Sequence, residues 1–220
     1  MSVDMDTTLL ITETYKSIQG ESTWVGLPCT FIRLARCNLR CRWCDTTYSF
    51  TGGDKRSIKT LLDECNDYGC SLVEITGGEP LAQAECPTLA QALIDAGYTV
   101  LVETSGSLPI NVLPPECIRI MDLKCPGSGE CDKNDWSNIE ALTDRDEVKF
   151  VLASREDYEW ARDVIRKHSL ADRCQDILMS PVFGDIDPKD IVDWILEDAL
   201  PVRFQLQLHK FVWPPDQKGV

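Results

Sequence analysis

A chain of 220 residues, 43% hydrophobic and 26% charged, can bury one good core and is expected to form a single globular domain over residues 1–220. Its net charge of −14 disfavours stable nucleic-acid binding, which depends on Lys and Arg neutralising phosphates. No apolar stretch approaches the roughly 20 residues of a membrane span, and the polar, acidic start from Met1 to Thr8 lacks the pattern of a signal peptide. The expected location is therefore the reducing cytoplasm, where the eleven cysteines point to metal binding rather than disulfides.

In chain order, Leu9 to Tyr15 reads as a short strand running into the loop Ser17 to Ser22. Thr30 to Ala35 alternates as a second strand and leads directly into Cys37, Cys41 and Cys44. Three thiols in so tight a run must wrap one small object. Three thiolates leave one corner of a [4Fe–4S] cluster free for a substrate or cofactor. The alternative is a zinc knuckle whose fourth ligand is a distant His or Cys. The remaining eight cysteines are scattered and read as small core residues or free surface thiols.

Gly52 and Gly53 close the loop region. Ser57 caps a helix with Ile58, Leu61, Leu62 and Cys65 on one face and Gly69 at its end. A strand from Leu72 to Thr76 stops at Gly77-Gly78-Glu79-Pro80. A helix capped by Thr88 carries Leu89, Ala92, Leu93 and Ala96 inward and ends at Gly97. Further strands are expected at Thr99 to Glu103, Ile118 to Leu123, Val148 to Leu152, Ile177 to Met179 and Val202 to Leu208. Ser128 to Asp146 reads as a loop with a short helix. Two more helices start at Ser154 and at Asp187-Pro188.

Strands alternating with helices across short loops mean repeated βαβ units and a mostly parallel sheet. About six units are countable, too few for a closed eight-fold barrel, so the expected fold is α/β, a partial and open (β/α)6-type barrel. Chemistry in such folds gathers at the carboxyl ends of the strands. Those ends carry Gly77-Gly78-Glu79, Glu103 to Gly106, Asp122 to Lys124, Ser180 to Phe183 and His209-Lys210. Two glycines let a ligand approach the backbone closely with its amides free, and Glu79 is placed to hold an ammonium group. Each cluster also has a bland reading: Gly-Gly as a plain turn, Arg33 and Glu103 as solvated charges, His209 as a structural side chain. Their assembly on one rim beside a three-cysteine loop favours function.

The C-x3-C-x2-C run followed by Gly-Gly-Glu-Pro resembles the radical S-adenosylmethionine enzymes. A narrower resemblance covers nearly the whole chain. Ile18-Gln19-Gly20-Glu21, Phe31-Ile32-Arg33, Trp43-Cys44-Asp45-Thr46, Ile75 to Pro80, Glu103 to Gly106 and Gln207 to Lys210 are similar to the 7-carboxy-7-deazaguanine synthase family. That resemblance implies a carbon–nitrogen lyase on the route to queuosine and related 7-deazapurines. It implies radical ring contraction of 6-carboxy-5,6,7,8-tetrahydropterin with loss of ammonia. The implied cofactors are a [4Fe–4S] cluster, S-adenosylmethionine, which is regenerated, and Mg2+.

Carried over residue by residue, the resemblance makes Cys37, Cys41 and Cys44 the cluster ligands and Thr46 the ligand to Mg2+. Ile18, Gln19, Gly20, Glu21, Arg33, Thr76 and His209 face the pterin, with Arg33 as fork donor to its carboxylate. Trp43, Cys44, Asp45, Gly78, Asp122, Leu123, Lys124, Ser180, Pro181, Val182 and Phe183 contact S-adenosylmethionine, and Glu103 contacts that cofactor or the substrate. The implied partners are the small-molecule pterin, a one-electron donor such as flavodoxin or ferredoxin, and a second copy as homodimer, with no nucleic acid and no membrane. Two departures stand out. Asp122-Leu123-Lys124 replaces the Ser-Pro-Lys of many relatives, and the tail runs on through Trp213-Pro214-Pro215 to Val220, where some relatives bring a terminal carboxylate to the substrate. A glycyl-radical-enzyme activase shares the short triplet, but Gln19-Gly20-Glu21 and Cys44-Asp45-Thr46 favour the synthase. A zinc-binding interaction module would need less machinery than this α/β pattern supplies.

Overall fold

The computed structural model describes residues 3–220, so Met1 and Ser2 of the predicted polar start lie outside it. Among the described residues no helix is long and apolar enough to cross a membrane. The strands are β1 (Thr8–Ile18), β2 (Pro28–Leu34), β3 (Asp54–Ser57), β4 (Leu72–Gly77), β5 (Thr99–Thr104), β6 (Ile118–Asp122), β7 (Glu147–Leu152), β8 (Asp176–Pro181) and β9 (Arg203–Phe204). The helices are α1 (Ile58–Tyr68), α2 (Cys86–Asp95), α3 (Arg155–His168), α4 (Pro188–Asp198) and the single turn α5 (His209–Val212). All described strands join one open sheet in the order β3-β1-β2-β4-β5-β6-β7-β8-β9. β1 runs antiparallel to both its neighbours, and every pair from β2 to β9 is parallel.

The expected open, mostly parallel α/β architecture is present, with local differences. Strand β3, Asp-Lys-Arg-Ser, has no strand pattern and forms because the edge of β1 offers it a ladder, pairing Thr8 with Ser57 and Ile11 with Asp54. Helix α2 starts at Cys86, with Pro87 in its first turn, so Thr88 lies inside the helix and caps nothing. The caps at Ser57, Ser154 and Asp187 form as read, each side-chain oxygen accepting from a first-turn amide. The expected short helix between Ser128 and Asp146 is replaced by 3-10 turns. The connection from β5 to β6 is likewise only the 3-10 turn Ile110–Val112. Pro109, Pro114 and Pro115 deny that stretch an α-helix.

Period-2 alternation splits each central strand between two faces. Val73 and Ile75 of β4 and Val100 and Val102 of β5 pack outward with Leu61, Leu89 and Leu93 of α1 and α2. Val148, Phe150 and Leu152 of β7 pack with Tyr158, Ala161 and Ile165 of α3. The opposite face holds a small apolar floor of Cys29, Phe31, Leu72, Leu101, Ile118 and Ile120. Above that floor the same strands present polar groups, and these line the cleft described next. Seven of the eight scattered cysteines are buried, leaving Cys131 half-buried.

Candidate active site

The inner face of the sheet opens into a cleft of about 1140 Å³. Cys37, Cys41 and Cys44 line it from the loop after β2, all three half-buried. The loop is held at three points. At its start the Gly78 amide donates to the Leu34 carbonyl (3.3 Å) and the Glu79 amide to the Arg36 carbonyl (2.9 Å). In its middle the Arg40 amide donates to Glu130 (2.6 Å) and the Arg42 amide to the Ser128 carbonyl (3.0 Å). Near its end the Arg36 amide donates to the Ser49 carbonyl (2.7 Å).

This arrangement corrects two readings of Gly77-Gly78-Glu79. The Gly78 and Glu79 amides are not free for a ligand, because the cysteine loop already uses them. A Cβ on Gly78 would collide with the Arg36 carbonyl and with Cβ of Cys37 at 2.6 Å, so glycine is needed to seat that loop. Glu79 is 0% exposed and takes donors from Leu81 N, Thr104 Oγ1, Ser105 N and Ser105 Oγ, so it is a clamp rather than an ammonium ligand.

Burial pushes the Cys37 and Cys41 thiols up from their ordinary range, with Lys124 pulling the other way. Such thiols become good ligands only when a metal replaces the proton. Among the described residues no three His, Cys, Asp or Glu side chains converge on a point, as ligands of a single ion do. Three thiols on one loop give three of the four ligands that a [4Fe–4S] cluster or a zinc ion takes, and the three-thiol set leaves one corner of a cluster open. Thr46 follows on the cleft wall and offers a hydroxyl oxygen, the donor type a hard cation takes. Beside it Asp45 is ion-paired to Lys210 at 2.7 Å.

Arg33 projects from β2 and is held by cross-strand partners. Its Nε donates to Glu13 (2.8 Å) and its Nη2 to the Tyr15 hydroxyl (3.1 Å). The Tyr48 hydroxyl donates to the same Glu13 carboxylate (2.7 Å), which ties Arg33 to the turn after Thr46. Opposite lies an acidic group. Glu21 comes from the loop after β1, Glu74 from β4 and Glu103 from β5, with Lys149 of β7 among them. Lys149 is ion-paired to Glu21 at 2.8 Å and also to Glu103. Thr76 donates to Glu103 (3.4 Å) and Gln207 to Glu21 (2.9 Å). Burial alone would raise the Glu21 carboxyl, but Lys149 and Gln207 outweigh it and hold the value at about 2. Glu74 goes the other way: burial, then Glu103 and Glu21, push it well up, while Gln19 donates to it. His209 sits against Gly20, where a Cβ would collide with its ring, and burial lowers its pKa despite Glu21.

The cleft therefore gathers Ile18, Gln19, Gly20, Glu21, Arg33, Thr76 and His209 with Trp43, Asp45, Thr46, Gly78, Glu103, Asp122, Lys124, Val182 and Phe183. Three predicted residues do not line it. Leu123 is fully buried in the outer core, its amide donating to the Lys149 carbonyl (2.9 Å). The Ser180 hydroxyl is buried without a partner, and Pro181 faces a separate apolar hollow of about 440 Å³. A strand's two faces explain the misses, since only every second residue at a strand end can face the cleft. Sequence reasoning overlooked Lys149, Glu74, Glu13 and Tyr48. The signal for two of them was available: Glu74 and Lys149 interrupt central strands that are otherwise apolar, and a parallel strand carries a charge inward only where a cleft receives it.

A parallel α/β sheet whose strand ends surround a three-cysteine loop defines the radical SAM class, and residues 31–195 match the radical SAM superfamily. The chain is 46% identical to the 7-carboxy-7-deazaguanine synthase of Koribacter versatilis, over 96% of this chain and 99% of that one. It is 44% identical to the 7-carboxy-7-deazaguanine synthase of Chlorobaculum tepidum, over 96% of this chain and 97% of the other. The crystal structure of QueE from Escherichia coli superposes with a TM-score of 0.77 over 92% of this chain and 95% of that one, at 22% identity. The chain belongs to the 7-carboxy-7-deazaguanine synthase family.

Proposed function

We propose that this chain is a 7-carboxy-7-deazaguanine synthase, contracting the ring of 6-carboxy-5,6,7,8-tetrahydropterin with loss of ammonia. The observation that carries this reading is the polarity of the cleft, which is lined by a cysteine loop, an arginine fork and two carboxylates ion-paired to one lysine. An anionic heterocycle rich in N–H donors is complementary to those walls.

Cys37, Cys41 and Cys44 hold the [4Fe–4S] cluster, and the cleft wall near Gly78, Asp122 and Lys124 receives S-adenosylmethionine. When bound, these groups supply the electron and the carbon radical that removes a hydrogen from the substrate. Arg33, oriented by Glu13 and Tyr15, grips the substrate carboxylate, and Thr46 brings Mg2+ to the same end. Glu21 and Glu103 accept from the opposite edge of the ring, with Gln19 and His209 closing above it. The apolar floor of Phe31 and Ile120 keeps water and other hydrogen donors from the reacting carbon. An electron donor of the flavodoxin or ferredoxin type, a cytoplasmic setting and a homodimer are further readings that rest on the family alone.

The test is anaerobic reconstitution with iron and sulfide, followed by incubation with S-adenosylmethionine, reductant, Mg2+ and the carboxy-tetrahydropterin. The expected product is the deazaguanine acid, detected by mass spectrometry, and Cys41→Ala protein should bind no redox-active cluster and form none. A fully loaded wild-type protein that leaves the pterin unchanged would overturn the reading.

A further inference from the structure

Lys149 projects from β7 into the cleft, and the proposed chemistry leaves it unused. It is 4% exposed yet lines the cleft. Its ammonium group lies 2.8 Å from Glu21 and is ion-paired with Glu103, residues that arrive from the β1–β2 loop and from β5. The groups facing this cluster are Glu74 from β4, Asp122 from β6 and His209 from α5. Lys124, the next cation, is engaged with Asp122 at 2.7 Å. Lys149 is thus the cation in direct ion-pair contact with both Glu21 and Glu103.

We propose that Lys149 is a specificity-determining residue that keeps Glu21 and Glu103 ionised as acceptors for the N–H edge of the substrate ring. This assignment rests on the pterin reading above. The 2-amino-4-oxopyrimidine edge presents N–H donors, and only an ionised carboxylate can accept from them with both oxygens. Glu74 is 3% exposed and Glu21 and Glu103 are half-buried beside it, and like charges so close disfavour one another's ionised form unless a cation stands among them. Burial and the two neighbouring carboxylates push Glu74 upward, while it accepts from the Gln19 side-chain amide. Removing the cation would take away the ion pair that opposes the burial of Glu21, and a Glu21 that takes up a proton becomes a donor that opposes the ring edge.

The experiment is fluorescence titration of oxidised pterin-6-carboxylate, a non-reacting probe, into cluster-loaded protein with S-adenosylmethionine and Mg2+ under anaerobic conditions. Titrations run between about pH 5.5 and 7.5. Wild-type affinity should be flat across this range. Lys149→Gln should bind at least about tenfold more weakly at the acid end, with affinity recovering as pH rises and the carboxyls ionise. Lys149→Arg should bind like wild type. The double variant Lys149→Gln/Glu103→Gln restores the wild-type charge balance and should regain a flat profile, and it decides the matter with Lys149→Arg if the single variant fails to fold. Wild-type affinity in Lys149→Gln, weak binding with no pH dependence in that single variant, or a pH-dependent profile in the double variant would mean a merely structural lysine and overturn the assignment. A wild-type protein that binds no pterin at any pH is a different result, since it removes the substrate reading itself.

Discussion

Glu74 faces the cleft from β4, and among the described residues its hydrogen-bond donor is the Gln19 amide. Burial and the neighbouring carboxylates hold its pKa well above the ordinary value. The folded protein therefore keeps a proton that the unfolded chain releases above about pH 4.3, so the stability tied to this group falls as pH rises toward the folded value. Glu74→Gln removes the titration and keeps the shape. Thermal unfolding between about pH 5 and 8 should show the variant gaining on wild type as pH rises, and parallel curves would contradict a neutral Glu74. No such pair of roles for Glu74 and Glu21 was legible in the sequence. Glu21 lies in the loop after β1 and Glu74 inside β4, and the ion pair of Glu21 with Lys149 at 2.8 Å exists only in the folded chain.

At the scale of elements, α4 ends on Ala199 at φ 46° and α3 on Ser169 at φ 50°, where glycine is the usual residue. An alanine in the left-handed region costs about 1–2 kcal/mol, of which glycine's extra unfolded-state entropy recovers only part. Ala199→Gly should stabilise by about 0.5–1 kcal/mol, read as a rise of about 1–4 °C in Tm with iron content unchanged. A lower Tm would place the strain elsewhere. The caps were readable because capping is local, a side chain meeting an amide two or three residues on. The last strand was not. Val202 to Leu208 has strand composition, yet only Arg203–Phe204 pairs, because the chain then turns so that Leu208 can donate to the Gly20 carbonyl (2.8 Å) and Gln207 can reach Glu21.

Across the whole molecule, the loop from Gln19 to Leu27 crosses the inner face and joins the first strands to the last. Thr23 donates through its amide (3.2 Å) and its hydroxyl to Glu147, which is 0% exposed at the start of β7. Burial pushes Glu147 up while these two donors pull it down. Thr23→Val should leave that carboxyl half-satisfied and cost about 1–3 kcal/mol in the denaturant midpoint at unchanged slope. The cysteine loop lies elsewhere, so reconstituted iron content should stay at the wild-type level. Loss of the cluster would show that the crossing loop and the cysteine loop are coupled.

The sequence by itself determined the open parallel α/β sheet, the helix starts at Ser57, Ser154 and Asp187 and the three-thiol loop, because alternation, capping and ligand spacing act within a few residues along the chain. It also marked the strand ends as the place where chemistry collects. Tertiary structure decided which residues at those ends face the cleft, turned Glu79 from a candidate ligand into a clamp, excluded Leu123, Ser180 and Pro181, and placed Lys149 between Glu21 and Glu103. Those outcomes depend on groups up to 186 residues apart meeting in a space of low dielectric, and their ionisation exists only once the fold has brought them together.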